Sequence, residues 1–374
     1  MEFDLPIGYH SFHKDKHFNF QMNRWVSLGF ARAEDFESVA ARIKNFDDWK
    51  REMIGLAEKA EFENRMINSA FYYRAAEFFT FSDDADKLEL YERFQTLFYE
   101  NIEDPSLKIS EVPFEFGYLH TLRLTPPDAY RTVVIHGGLD SFIEEFYTIA
   151  KIFANRGCEV ILFEGPGQGK TLRRYGMKLT HEWEKPTSAI LEYFNLSDIT
   201  LIGISLGGFL ALRAAAYEPK ISQVVALDVY VYQHLNPESW LTRFLRNHPN
   251  FYNRVVRFAM SRSVTARFLI NQWLDVTGAE TPHEWSFSLD KYSTISIADK
   301  VEQDVLLLAG ETDHLILPRE LEWTEQGLVN ARSVTTRLFT REEHASNHCQ
   351  VGNIPLAIDV ILNWIQQPNQ NGRP

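Results

Sequence analysis

The chain has 374 residues, 45% of them hydrophobic and 24% charged, with a formal net charge of −13. That acidity excludes a phosphate-backbone partner, which would need clustered Lys and Arg to release counterions, and no apolar run approaches the roughly 20 residues needed to cross a bilayer. Cys158 and Cys349 are too few for a disulfide framework, and the start MEFDLPIGYH lacks the basic-then-apolar pattern of a signal peptide, so a cytoplasmic protein without nucleic-acid or membrane partners is expected.

The length calls for one catalytic unit of ordinary size plus an accessory region. From about Asp35 to Glu100 the pattern is helical. Trp49, Met53, Leu56 and Ala60 recur at three-to-four spacing behind Asn45-Phe46-Asp47-Asp48, which supplies capping oxygens. Past Pro105 the pattern changes, and Val112 to Leu124 reads as a hairpin broken at Gly117. Apolar runs at 132–135, 159–163, 199–202, 223–227, 304–308 and 334–339 then alternate with helical segments, which predicts an α/β fold around a parallel sheet. The gap at 229–297 is far longer than an ordinary crossover. It is helical and aromatic, from Trp240 and Phe244 to Trp273 and Trp285, and reads as an inserted lid. The expected organisation is a helical amino-terminal cap region at 1–110, a catalytic domain at 111–228 and 298–366, a lid at 229–297, and a disordered tail at 367–374.

The chemistry concentrates at Gly203-Ile204-Ser205-Leu206-Gly207, a G-x-S-x-G placed between a strand and the helical run FLALRAAAY. A strand that turns sharply into a helix strains the serine backbone and needs glycines on both sides, where a Cβ would collide with neighbouring backbone. Ser205 is thereby the candidate nucleophile, and the Leu206 amide at the helix start is a candidate oxyanion donor. The loop His136-Gly137-Gly138-Leu139 follows the first parallel strand and leads into a helix expected near Ser141, with Glu144 at capping-box spacing. Gly138 is the choice for the second oxyanion amide, with Leu139 as alternative, and His136 reads as a structural histidine.

A serine hydroxyl needs a base, and the base an orienting carboxylate, in the chain order Ser, Asp, His. Asp313 in GETDHLILP follows a strand and fits the acid, with Asp228, also at a strand end, as alternative. His314 beside Asp313 reads as structural. The base lies in TREEHASNHCQVGN, which offers His344 and His348. The stretch Glu164-Gly165-Pro166-Gly167-Gln168-Gly169-Lys170-Thr171 misses the phosphate-loop spacing by one residue, because Glu164 stands where the first glycine belongs. It reads instead as a tight turn bordering the site.

Together HGGLDSFIEEFY, FEGPGQG, GISLGG, GETD and NHCQVGN resemble one branch of the α/β hydrolases. That branch holds the 2,6-dihydroxypseudooxynicotine hydrolase of nicotine breakdown, fungal polyketide-shortening hydrolases of the yellowish-green pigment type, and FrsA-like proteins. The resemblance spans most of the chain and includes SAFYYRAAEFF ahead of the catalytic region. It implies that the catalytic histidine precedes a Cys and lies near a Gly-Asn, which selects His348. It further implies a serine hydrolase that needs no cofactor or metal, cleaves a carbon–carbon bond beside a ketone or else an ester, and forms a homodimer. The expected partner is a largely apolar or aromatic carbonyl compound of the β-diketone or acyl-phenol type. A carboxylesterase or acyl-peptide hydrolase is the alternative, and a non-catalytic binding protein on the same fold is the alternative from another class. Glu238 in NPESW, at the start of the lid, is a candidate extra acid by the same resemblance.

Overall fold

A continuous eight-stranded sheet organises the chain in a computed structural model that describes residues 5–228 and 239–366. The strands are β1 (Leu107–Phe114), β2 (Gly117–Leu124), β3 (Arg131–His136), β4 (Cys158–Phe163), β5 (Ile199–Ile204), β6 (Ile221–Leu227), β7 (Asp304–Gly310) and β8 (Ser333–Phe339). Their spatial order is β1-β2-β4-β3-β5-β6-β7-β8. The first three in that order pair antiparallel, and from β4 onward every neighbour is parallel. Every residue of β4, β5 and β7 is buried, as continuous apolar runs covered on both faces require. The α/β fold expected from the strand pattern is the one observed.

Five helices precede the sheet: α1 (Lys16–Ser27), α2 (Ala33–Val39), α3 (Phe46–Phe62), α4 (Met66–Phe78) and α5 (Asp86–Asn101). In α3 the buried positions are Trp49, Met53, Leu56, Ala57 and Ala60, and the Asn45 side chain accepts from the Asp48 amide at 2.9 Å. The spacing in the sequence thus becomes one apolar face behind an N-cap. α1 begins ahead of the expected helical region. Asp15 caps it, and Phe18, Phe20, Met22, Trp25 and Val26 are its buried apolar residues.

Within the sheet region lie α6 (Tyr147–Asn155), α7 (Gly169–Tyr175), α8 (Glu184–Tyr193), α9 (Gly207–Ala215), then α10 (Trp240–Asn247), α11 (Pro249–Arg262), α12 (Val264–Thr277), α13 (Pro282–Ser288), α14 (Pro318–Gly327) and α15 (Ile354–Gln366). Side chains of α1 to α6 and α15 share one core with one face of the sheet, whereas α8, α9 and α14 pack on the other. The helix expected near Ser141 starts later. A 3₁₀ turn at Ile143–Phe146 precedes α6, and Glu145, not Glu144, reaches back to the Phe142 amide at 3.1 Å. Glu144 is turned into the interior, where it accepts from Tyr99 Oη at 2.6 Å and Gln95 Nε2 at 2.9 Å. The helical reading of the 229–297 stretch holds for α10 to α13 among the described residues. Residues 229–238, with the candidate acid Glu238, and the 367–374 tail lie outside them.

Candidate active site

β5 ends at Ile204, and the next residue, Ser205, has φ +62. That left-handed conformation is costly for a residue with a side chain and persists only where the surroundings impose it. Here the Ser205 amide still bonds Leu227 O at 2.9 Å, extending the β5–β6 ladder, while its carbonyl already accepts from Gly208 in α9 at 2.8 Å. The turn is sharp enough that a Cβ on Gly203 would lie 1.9 Å from Gly207 O. Only glycine fits there.

His348 follows β8 in a short turn, and Asp313 follows β7. His348 Nε2 lies 2.8 Å from Ser205 Oγ, and His348 Nδ1 lies 2.6 Å from Asp313 Oδ2. This network assigns the proton to Nδ1 and leaves Nε2 free to accept from the serine hydroxyl. Asp313 is fixed by the Leu315 and Ile316 amides, both donating to its Oδ1, at 2.7 and 3.2 Å. Burial alone would raise its pKa, but the His348 charge and hydrogen bond outweigh it and keep the carboxylate ionised. His344 is exposed in the preceding turn, with φ +57.

Asp228, the alternative acid, lies deeper. Its Oδ2 is 3.5 Å from His348 Nδ1, and it accepts from the Cys349 amide and, at 3.3 Å, from Gln350 Nε2. Full burial and the neighbouring Asp313 push its pKa up to about 7, against the pull of His348. Distance therefore favours Asp313 as the histidine's partner, and Asp228 braces the turn that carries the histidine.

The loop after β3 lies against the serine. A Cβ on Gly138 would stand 2.8 Å from Leu206 N and 3.1 Å from Ser205 Cβ. The Gly138 amide makes a long 3.4 Å contact with Ser141 Oγ. Gln168, in the turn after β4, donates to the carbonyls of Gly137 and Gly138 at 2.8 and 2.7 Å and so fixes the loop. The same turn resembled a phosphate loop, but Glu164 fills it with its own carboxylate, accepting from the Lys170 amide at 2.6 Å and the Ile143 amide at 3.3 Å. His136 is fully buried between Phe163 and Trp183, and burial pushes its pKa down to about 4.

Several residues at the site carried no signal in the functional reading. Phe20 and Arg24 come from α1, and Asp140 follows the glycine pair; all three border the cavities that meet at Ser205 and His348. Arg24 pairs with Glu145 and lies 3.5 Å from Asp140. The amphipathic spacing of α1 could have revealed the helix, but not which of its faces meets the serine. His314 also faces the cavity, packed edge-on to Phe20 at a ring distance of 4.7 Å. The amino-terminal segment holds the histidine turn directly: Gly8 N donates to Gly352 O at 2.7 Å, and Gly352 N donates to Ser27 Oγ at 3.0 Å.

Residues 132–265 match a family model described as the alpha/beta hydrolase fold. The hydrolyase poxO of Penicillium oxalicum is 29% identical over 370 aligned residues, covering 83% of this chain and 86% of its own. Among solved structures, AbyA5 superposes with a TM-score of 0.72 at 18% identity, covering 94% of both chains. The crystal structure of 2,6-dihydroxy-pseudo-oxynicotine hydrolase gives 0.64 at 21% identity, over 92% of this chain and 94% of the other. Sheet order, serine turn and these matches make the chain an α/β-hydrolase-fold protein, similar in sequence to fungal hydrolases and in fold to 2,6-dihydroxy-pseudo-oxynicotine hydrolase.

Proposed function

We propose that the chain is a serine hydrolase in which Ser205 attacks a substrate carbonyl, His348 takes its proton, and Asp313 orients His348. The observation that carries this reading is the relay itself, 2.6 Å from Asp313 to His348 and 2.8 Å from His348 to Ser205. The Leu206 and Gly138 amides hold the oxyanion, with Leu139 as the alternative to Gly138. The bond from the acyl carbon to the leaving group then breaks, and His348 protonates the departing atom. Water next adds its hydroxyl to the acyl carbon, its proton returns through His348, and Ser205 is regenerated.

The bond we favour is carbon–carbon, beside a ketone. A cavity of about 290 Å³ lies over Ser205, walled by Phe78, Phe79, Phe268 and Trp273, and supports an aromatic leaving group whose carbanion character His348 quenches. Glu238 is a second proton source on this reading. The helices of 1–110 and the described helices of the 229–297 segment serve on this reading as a two-part cover, and the enzyme works as a cytoplasmic homodimer without cofactor or metal.

A fluorophosphonate probe should label Ser205 in the folded protein; absence of label would undo the assignment. Ser205→Ala should lower turnover by roughly 10⁴ to 10⁶ without loss of folding. Aryl diketones, p-nitrophenyl esters and aminoacyl anilides offered side by side decide the bond. Strong ester turnover with silent diketones would sink the carbon–carbon reading in favour of an esterase.

The pH profile is a further check. Burial alone would lower the His348 pKa, but Cys349, Asp313 and Asp228 together hold it well above 6.5. Since the base works unprotonated, kcat/KM should fall on the acid side of a midpoint above pH 6.5, and Asp313→Asn should move that midpoint down. An unmoved midpoint would point to a different partner.

A further inference from the structure

A second cavity, of about 80 Å³, opens on the other side of Ser205 and His348 and runs inward between the sheet and helices α6 and α15. Its walls differ in kind from those of the aromatic cavity. Ile354, Ala357, Ile358 and Ile361 form one stripe along α15, and Ile149 and Phe153 face them from α6. Ile202 and Ile204 make the floor on β5. Polar groups gather at the mouth, where Arg24, Asp140 and Ser141 stand near the nucleophile.

Interiors are close-packed, and a void lined by Ile and Phe has nothing to hold water with. The deep walls are core residues, Phe153 at 1%, Ile358 at 3% and Ile361 at 3% exposure. The rim of the aromatic cavity reaches solvent, with Leu269 at 44% and Leu315 at 57% exposure. The fragment that leaves first needs the side whose rim residues reach solvent, and the fragment still bound to Ser205 tolerates the side lined by core residues.

We infer that the core-lined cavity is an acyl chamber, and that the substrate carries a short unbranched aliphatic chain on the carbonyl that Ser205 attacks. This rests on the serine hydrolase reading above. An apolar cavity of roughly 150 Å³ takes one benzene ring, so about 80 Å³ takes a chain of about three or four carbons. The carbonyl lies at the polar mouth, the chain points inward, and the aromatic or polar remainder occupies the cavity beneath Phe268 and Trp273. The bonds made and broken are those of the hydrolysis already described.

The test uses the whole chain and p-nitrophenyl esters from acetate to dodecanoate. The expected kcat/KM rises from acetate to butanoate roughly tenfold and falls again from octanoate to dodecanoate. Ala357→Phe and Ile149→Trp, which fill the chamber, should each abolish the preference for butanoate over acetate. Asp359→Phe, on the exposed side of α15, should keep it. Butyl and methyl fluorophosphonates give a second reading on unmodified protein, the butyl reagent labelling Ser205 faster. If Ser205 is labelled and acetate is turned over but neither series depends on chain length, the chamber is overturned and the hydrolase stands. If no probe labels Ser205 and no ester is turned over, both readings fall.

Discussion

Helices α4 and α11 both lie outside the sheet, yet the chain treats them in opposite ways. In α4, eleven of 13 residues are buried, charged Arg74 and Glu77 among them. In α11 none of 14 is buried, and Phe251 and Phe258 are 50% and 62% exposed. A helix buried on every side is part of a core, whereas a helix with no buried residue packs on its neighbours over only a small part of its surface. The amino-terminal helices are thus a fixed wall of the site, and of α10 to α13 it is chiefly α12 that reaches it, through Phe268, Leu269, Gln272 and Trp273.

Removing packing from each region should give unequal losses. Phe71 is fully buried and stacks on Phe30 with ring centroids 3.6 Å apart, so Phe71→Ala should cost about 3–5 kcal/mol in urea unfolding. A cost below about 1 kcal/mol would mean that the wall is not part of the core.

Next in size is Glu77, which meets Arg74, Lys87 at 2.8 Å and Arg173 at 3.4 Å. Burial alone would raise its pKa, but Lys87, Arg74 and Arg173 hold it down at about 2. A carboxylate lowered in the folded state contributes stability above its unfolded pKa, near 4.5, and loses it as pH falls toward 2. Wild-type stability should therefore drop by about 3 kcal/mol across that window, and Glu77→Gln should already be destabilised at pH 7 and flatter below 4.5. An equally steep acid limb in the variant would assign the loss to other carboxylates.

Asp275 tests the joint between the two regions, since Arg173 bonds it on α12 at 2.8 Å while also meeting Glu77. Asp275→Asn should cost about 1 kcal/mol and speed amide exchange in α12 about fivefold, leaving α4 unchanged. Exchange that rises in both helices would join them into one unit. The smallest effect belongs to Phe258→Ala, within about 0.5 kcal/mol; a loss as large as that of Phe71→Ala would erase the distinction.

Local pattern carried the sheet because β3 to β7 are apolar runs whose burial on both faces needs no long-range information. It also carried Ser205, since the strand–turn–helix demand for glycine is written in adjacent residues. The carboxylate was less legible. Asp228 and Asp313 both end strands, so the sequence put Asp313 first but kept Asp228 as an alternative, and the 2.6 Å against 3.5 Å approach to His348 Nδ1 favours the same order. Between His344 and His348, the residues alone left a choice that the Cys-Gln-Val-Gly-Asn pattern resolved. Phe20, Arg24 and Asp140 stayed silent because their meeting with the serine depends on how α1 docks, a contact across more than a hundred residues of chain: Arg24 to Asp140 spans 116.

The bonds from Gly8 and Ser27 to Gly352 give the amino-terminal helices a second duty. Gly352 lies four residues past His348, so the segment that roofs the cavity also moors the base. The cavity wall and the His348 turn are one mechanical piece. Exchanging the amino-terminal region for that of a relative would alter the wall of the cavity and, in the same stroke, how closely His348 meets Ser205, so the shape of the cavity and the geometry of the His348 turn are tied to the same joint.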